Sequence, residues 1–390
     1  MATTVFPYIQ YGGIWTASQQ ADAKAAGTWP VPPVPALYSW GNNVVGQLGL
    51  GNTAYRSSPN QVGALTNWLN ISSGDYHTLA VKTDGTLWSW GNNDSGQLGI
   101  GNTTNRSSPV QVGALTGWAT VSAGRGFSLS IKTDGTLWAW GANNFGQLGL
   151  GDTTARSSPV QVGALTNWAS LGTGFFYAVA VKTDGTIWAW GSSPYGQLGL
   201  GNTTYYSSPK QIGALTNWSK VACGTNATLA IKTDGTFWSW GLNRSAFNSG
   251  SQLGLGNSID YSSPKQVGAL TNWLYVASGQ YHSLSIKTDG TFWSWGRNLE
   301  GQLGLGNTTD YSSPKQVGSL TNWSSVAGGG YNCLAIKTDG ALWSWGANSS
   351  GQLGLGNTTN RSSPNQVGAL TNWRSVFKSQ YASAFAIAAI

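Results

Sequence analysis

Charge is what this chain lacks most. Asp, Glu, Lys and Arg make up 8% of its 390 residues, against roughly 25% in ordinary soluble domains. Glu300 is its one glutamate, and its only histidines are His77 and His282. The formal net charge of +7 is modest for this length, and no Lys/Arg run occurs. A mildly basic, solvated surface is therefore expected, and not nucleic-acid binding. No apolar run approaches the ~18 residues of a membrane span. The first twenty residues show no basic segment followed by an apolar one, so no secretory signal is visible. The two cysteines, Cys223 and Cys333, replace Ser, Thr, Ala or Gly at their positions in an internal repeat. They are expected as buried thiols, and not as a disulfide, metal site or nucleophile.

What is abundant is Gly, Ser, Thr, Asn and Trp, in a near-perfect repeat. Trp-Gly occurs at Trp40, Trp90, Trp140, Trp190, Trp240, Trp295 and Trp345, spaced by 50 residues apart from one gap of 55. Each copy continues to Gln-Leu-Gly-(Leu/Ile)-Gly, then Ser-Ser-Pro, then Leu-Thr-(Asn/Gly)-Trp. A Gly- and aromatic-rich period of this size marks a propeller blade, which cannot bury a core alone and must stack.

One repeat predicts four strands: Trp68 to Ser72, His77 to Lys82, Thr86 to Trp90, and Pro109 through Val112. Asp84-Gly85 between the second and third is a strong hairpin signal, because a type I′ turn needs positive φ. Pro109 suits the opening of an edge strand. Each repeat tryptophan can bury ~150–250 Å², about 4–6 kcal/mol gross before entropy is subtracted. The tryptophans are thus read as glue between blades.

The ends predict closure. Leu-Thr-(Asn/Gly)-Trp occurs seven times but Lys-Thr-Asp-Gly only six. Leu37 to Trp40 is a third strand without its first two, and Trp373 to Val376 with Phe385 to Ile390 supplies them. Phe385-Ala386-Ile387 aligns with Leu79-Ala80-Val81 only with one residue inserted before it. The fold expected is all-β: a seven-bladed propeller of four-stranded blades over 37–390, with its N- and C-terminal strands sharing one blade, after an N-terminal arm over 1–36. The arm carries Phe6, Tyr8, Tyr11, Trp15 and Trp29, a short helix near Ala17 to Ala26, and a stiff Pro-rich linker. It is either a strap on its own propeller or an anchor docked on an assembly.

The run Tyr-Ser-Trp-Gly-Asn-Asn…Gly-Gln-Leu-Gly-Leu-Gly, with Ser-Gly-Asp-Tyr-His-Thr-Leu-Ala-Val, resembles the regulator of chromosome condensation repeat family across about 37–390. The resemblance implies a seven-bladed propeller with staggered closure. Family functions span nucleotide exchange on a small GTPase, plant UV-B sensing and capping of β-lactamase by a secreted inhibitor. The turns here hold no Trp, which argues against the photoreceptor mechanism, and the scarcity of acidic residues argues against exchange. Fold alone does not choose a function.

Strand direction sorts the loops. One face, here called lower, carries six identical Thr-Asp-Gly turns. The upper face carries residues that differ between copies: Asp75-Tyr76-His77, Arg125-Gly126-Phe127, Phe175-Phe176-Tyr177, Asn226, Gln280-Tyr281-His282 and Tyr331-Asn332. The loops after Trp-Gly add Phe145, Tyr195, Arg244, Phe247, Arg297 and Glu300, and the one insertion falls there too. Aromatics with Arg, His, Asn and Gln are what binding surfaces favour, whereas exposed loops also drift. No paired carboxylates, metal-ligand spacing or nucleophile elbow appears, so no catalytic, cofactor or metal residue is expected. The Gly-Gln-Leu-Gly-Leu-Gly run opens no helix and recurs in every blade, so it is architectural.

The chain is therefore expected to be a non-enzymatic interaction propeller. Its composition and its arm-plus-propeller layout look like phage structural proteins that carry such repeats, as capsid decoration or tail. Partners would be particle subunits or a host-surface protein. The alternatives are a soluble regulator or inhibitor using the same face, and a glycan-binding propeller. Location at a virion surface is expected, otherwise cytoplasmic.

Overall fold

The computed structural model describes residues 34–244 and 251–389. The chain divides into two compact units, Met1–Val34 and Pro35–Ile390. All of the first but Val34 falls outside the described residues, with the expected anchors Phe6, Tyr8, Tyr11, Trp15 and Trp29.

Among the described residues the second unit is all-β. The chain enters through β1 (Pro35–Gly41) and β2 (Arg56–Thr66). A first complete blade follows: β3 (Trp68–Ser73), β4 (His77–Lys82), β5 (Leu87–Gly91) and β6 (Arg106–Gln111). Five more repeat it: β7–β10 over 118–161, β11–β14 over 168–211, β15–β18 over 218–266, β19–β22 over 273–316 and β23–β26 over 323–366. The chain ends in β27 (Trp373–Phe377) and β28 (Ser383–Ala389). Each blade is a four-stranded antiparallel sheet, and the seventh has the order β2-β1-β28-β27. The expected fold and its shared closing blade are what the structure has.

The outer strand begins earlier than Pro109. Gly91 pairs with Arg106 and Ser89 with Val110, so the ladder skips three residues. Pro109, which has no N–H to give, falls in that irregular stretch.

The constant Thr-Asp-Gly turns have a physical cause. Asp84 Oδ1 accepts from the Thr86 amide (2.9 Å) and hydroxyl (2.6 Å), and Thr86 Oγ1 accepts from Trp88 Nε1 (2.9 Å). The lysine before each turn lies over a tryptophan pair, as Lys182 does over Trp188 at 3.9 Å. The Trp88 position is therefore half-buried under a lysine, whereas Trp90 is fully buried.

Blades are joined by a repeated latch. Trp90 Nε1 donates to the main-chain carbonyl of Gln47 in the preceding blade (2.8 Å), and Trp140 does the same to Gln97 (2.9 Å). Trp40 closes the ring on Gln352 (3.0 Å). The glycine two residues on from the glutamine makes room for the ring. A Cβ at Gly99 (φ +73°) would meet Trp140 Nε1 at 2.8 Å. The Gln-Leu-Gly run is thus a socket for the next blade's tryptophan, and between blades lie apolar clusters such as Leu37, Leu48, Val62, Trp68, Ile71 and Trp90.

The closing register confirms the inserted residue. β1 pairs with β28 from Pro35↔Ala389 to Gly41↔Ser383 without a slip. Val376 faces Ala386, as Ile71 faces Ala80 in the first blade. The extra residue is taken up between β27 and β28, on the channel axis.

Candidate functional site

The upper face splits into buried and open positions. His77, Phe127, Tyr177, His282 and Asn332 open the second strand of their blades and are all buried, so the structure does not display them. Each folds back beneath its own turn. A Cβ at Gly124 would lie 1.9 Å from the Phe127 ring, so only glycine fits above it. His77 Nε2 contacts Ser128 Oγ (3.0 Å) and His282 Nε2 contacts Cys333 Sγ (3.2 Å), each in the next blade. Burial pushes both imidazoles down to about 3, with Arg297 adding to the effect at His282. Tyr177 donates its hydroxyl to the Ala227 carbonyl (2.7 Å).

Asp75 and Gln280 are buried as well, and they point to a centre that the repeat comparison missed. The innermost turns join head to tail: Arg125 N–H to Phe175 O, Phe175 to Thr225, Thr225 to Gln280, Gln280 to Gly330 and Gly330 to Tyr381, all within 3.1–3.3 Å. The seventh blade joins the first through Gln380 N–H to Ser73 O (3.3 Å), and the first meets the second through the Asp75–Arg125 ion pair. Its longer turn also fills the hole. Gln380 Nε2 reaches the Ala123 carbonyl (3.0 Å) across the ring, and Gln280 Nε2 donates to the Gln380 carbonyl (2.7 Å). Lys378 Nζ donates to the carbonyls of Thr173 (2.7 Å) and Cys223. The Lys378 side chain keeps some solvent contact along the channel but is ringed by protein, and burial lowers it to about 8. Asp75 is raised to about 6 by burial, opposed by Arg125, whose Nε lies 3.2 Å from its Oδ2, and by Lys378. The sequence signal for this plug is the residue inserted before Phe385.

The open positions cluster. Phe175 and Phe176 stand 6.3 Å apart, Phe176 and Phe145 5.0 Å, and Phe145 and Tyr205 5.7 Å. Arg125 lies over Phe175 (5.3 Å) and Phe176 (5.6 Å), so an aromatic run leads from the channel mouth outward with a cation at its inner end. A second cluster holds Tyr281 and Tyr331 (6.2 Å), with Arg297 over Tyr331 (4.7 Å). Tyr76 pairs with Tyr381 (5.4 Å). Arg244 stacks over Tyr195 (5.8 Å) and is bridged to Asp260 (2.5 Å). Asn226 accepts from Gln197 (3.2 Å), and Glu300 is held by Asn360 (2.7 Å). Phe247 lies outside the described residues. Sequence comparison also passed over Tyr205 and Tyr381, which lie outside the compared triplets.

Both thiols are buried and free, and burial pushes them up, Cys223 to about 11. No group of three or more potential metal ligands gathers among the described residues. No helix among the described residues is long and apolar enough to cross a membrane.

A ring of seven such blades, plugged at its axis and carrying its varied side chains on one face, defines a β-propeller of the repeat type. The sequence profile of the regulator of chromosome condensation (RCC1) repeat matches residues 36–81, 84–131, 134–181, 184–231, 234–286, 289–336 and 339–385. The chain belongs to that family. No curated protein sequence matches it significantly. Among solved structures, human WBSCR16 superposes with a TM-score of 0.80 at 21% identity, covering 91% of this chain and 99% of that one. Prp20p from Saccharomyces cerevisiae gives 0.80 at 22% identity, covering 92% of each chain. A yeast RCC1 (Prp20) structure with Kap60 gives 0.79 at 22%, covering 92% of this chain and 89% of the other. Likeness at this identity carries the fold.

Proposed function

We propose that this chain is a non-enzymatic protein-interaction propeller that meets its partner with the upper face. We further propose that its setting is a virion surface, as capsid decoration or tail. The observation that supports the reading is the run Arg125, Phe175, Phe176, Phe145 and Tyr205, which gathers partly open aromatic rings and a stacked guanidinium in one place. Such groups dominate protein interfaces. Variability alone supports it less, because the lower turns are held constant by their Asp-Thr-Trp hydrogen bonds and are no baseline for drift. The Prp20p structures concern binding to Gsp1p and histones and a complex with Kap60, all proteins. The virion setting draws on the charge-poor composition and on an arm preceding the propeller. β1 starts at the lower end of its blade, opposite the aromatic run.

Two changes test this. Deleting residues 2–30 is expected to abolish incorporation into purified particles. Unchanged binding in solution with no particle association would instead favour a soluble regulator using the same face. Changing Phe175, Phe176 and Tyr281 together to Ala is expected to abolish cross-links to the partner while leaving the melting temperature nearly unchanged. Cross-links that persist would remove the upper face from the reading.

A further inference from the structure

Over the sixth blade the upper face has a cleft of about 360 Å³, within the range of small-molecule sites (~300–1,000 Å³). Its walls come from three blades: Glu300 from the fifth, Tyr331 and Gln352 from the sixth, and Tyr381 from the seventh. Ala347 and Ser350 lie between them.

The cleft exists where two small side chains, Ala347 and Ser350, fall in the same loop. In the seventh blade, Asn42 follows the Trp-Gly glycine and accepts from Gln47 Nε2 (2.6 Å), and Asn92 does the same for Gln97 in the first. At that position the sixth blade has Ala347, as the second has Ala142, but where the second then carries Phe145 the sixth has only Ser350. The missing amide both empties the space and deprives Gln352 Nε2 of that acceptor. Gln352 Oε1 is taken by the Ser350 amide (2.8 Å), which orients the side chain. Glu300 is held equally firmly. Asn360 donates Nδ2 to its Oε2 (2.7 Å) and accepts from the Asn348 amide through Oδ1 (2.8 Å), so both ends of the Asn360 amide are used. Glu300 Oε1 is left to accept from a ligand.

We propose that this cleft binds one hexopyranose unit of a glycan. Glu300 and Gln352 supply a fixed acceptor and a fixed donor, and Tyr331 and Tyr381 supply aromatic surface for the C–H face of the sugar ring. The charge pattern selects a neutral ligand. Glu300 lines the cleft and opposes an anion, while Arg297, stacked on Tyr331 at 4.7 Å, opposes a cation. Many hydroxyls on a neutral ring satisfy oriented polar groups and tyrosine faces together. Glu300 is the only carboxylate among the lining residues, and glycoside hydrolysis ordinarily takes two, so the site binds and does not cleave. This site goes beyond the protein-binding reading and uses different blades from the Phe175 and Phe176 run, so either can fail alone.

The test is saturation-transfer NMR on the full chain with glucose, galactose, mannose, N-acetylglucosamine, cellobiose, lactose and chitobiose, and with tetramethylammonium as a cationic control. Transfer to ring protons of at least one saccharide is expected. Ala347→Asn restores the side chain that two other blades carry, so it keeps the fold and is expected to abolish the transfer. Glu300→Gln and Tyr331→Ala are each expected to weaken binding by about tenfold. No transfer to any of the saccharides, binding of tetramethylammonium alone, or transfer that survives Ala347→Asn would each overturn the proposal.

Discussion

Acid is expected to loosen this ring through two histidines. His77 and His282 are wholly enclosed and titrate near 3 when folded, against an ordinary 6.5. A base whose folded value is depressed binds fewer protons than the unfolded chain throughout that window. Stability therefore falls as pH drops from 6.5 toward 3. Between pH 7 and pH 5 each imidazole costs about 2 kcal/mol by this linkage, about 4 for the pair. Asp75 acts oppositely. Its folded value of about 6 exceeds the ordinary 3.8, so it takes up its proton first in the folded state and returns about 1 kcal/mol. The net loss is about 3 kcal/mol, a large share of the ~5–15 kcal/mol that holds a typical domain. The third blade shows a replacement that fits, because Tyr177 fills the same site and Phe127 fills it in the second. Urea titrations at pH 7 and pH 5 would compare the natural chain with His77→Phe/His282→Phe. The double variant is expected to lose the acid sensitivity and to become slightly more stable at pH 5. An undiminished loss in the double variant would refute the assignment to these imidazoles.

Other changes follow from the packing. Ala341 stands where the first five blades have Thr86, Thr136, Thr186, Thr236 and Thr291, and Trp343 Nε1 is left buried without a partner. Ala341→Thr is expected to stabilise by about 1 kcal/mol in chemical denaturation, and a loss would show that the hydroxyl does not reach the indole. Gly124→Ala drives a methyl into the Phe127 ring. It should cost roughly 1–3 kcal/mol as overpacking, relieved in part by Phe127→Leu, and additive effects of the two changes would argue against the contact. Gln380→Ala removes the donor to the Ala123 carbonyl across the channel. About 1–3 kcal/mol should be lost, together with hydrogen-exchange protection at the axial amides of Arg125 and Phe175. Unchanged protection would mean that the axial ring holds without its plug.

Much of this architecture was legible because the chain carries its own internal comparison. Seven Trp-Gly marks and six Thr-Asp-Gly turns sufficed for the blades and for the shared closing sheet. The site was less legible, for two physical reasons. A turn residue's neighbours in sequence do not show that Gly124 lets Phe127 fold inward, so buried and open positions looked alike. The axis gathers residues from every blade, and Lys378 and Gln380 lie in the one turn that departs from the repeat. Their reach to Thr173 and Ala123 exists only once the ring is closed.

The tryptophan latches also set an order of assembly. Trp90 and Gln47 lie 43 residues apart, and so do the partners of the other internal latches. Trp40 and Gln352 lie 312 apart. Closing the longer loop costs about 2 kcal/mol more in chain entropy, and it cannot begin until the last fifty residues exist. A nascent chain thus passes through an open arc whose two ends are unsatisfied halves of one sheet. At high concentration those halves can complete each other between molecules, giving exchanged dimers built from the same contacts. Production of this protein is expected to improve with dilution during refolding, because dilution favours a chain meeting its own end.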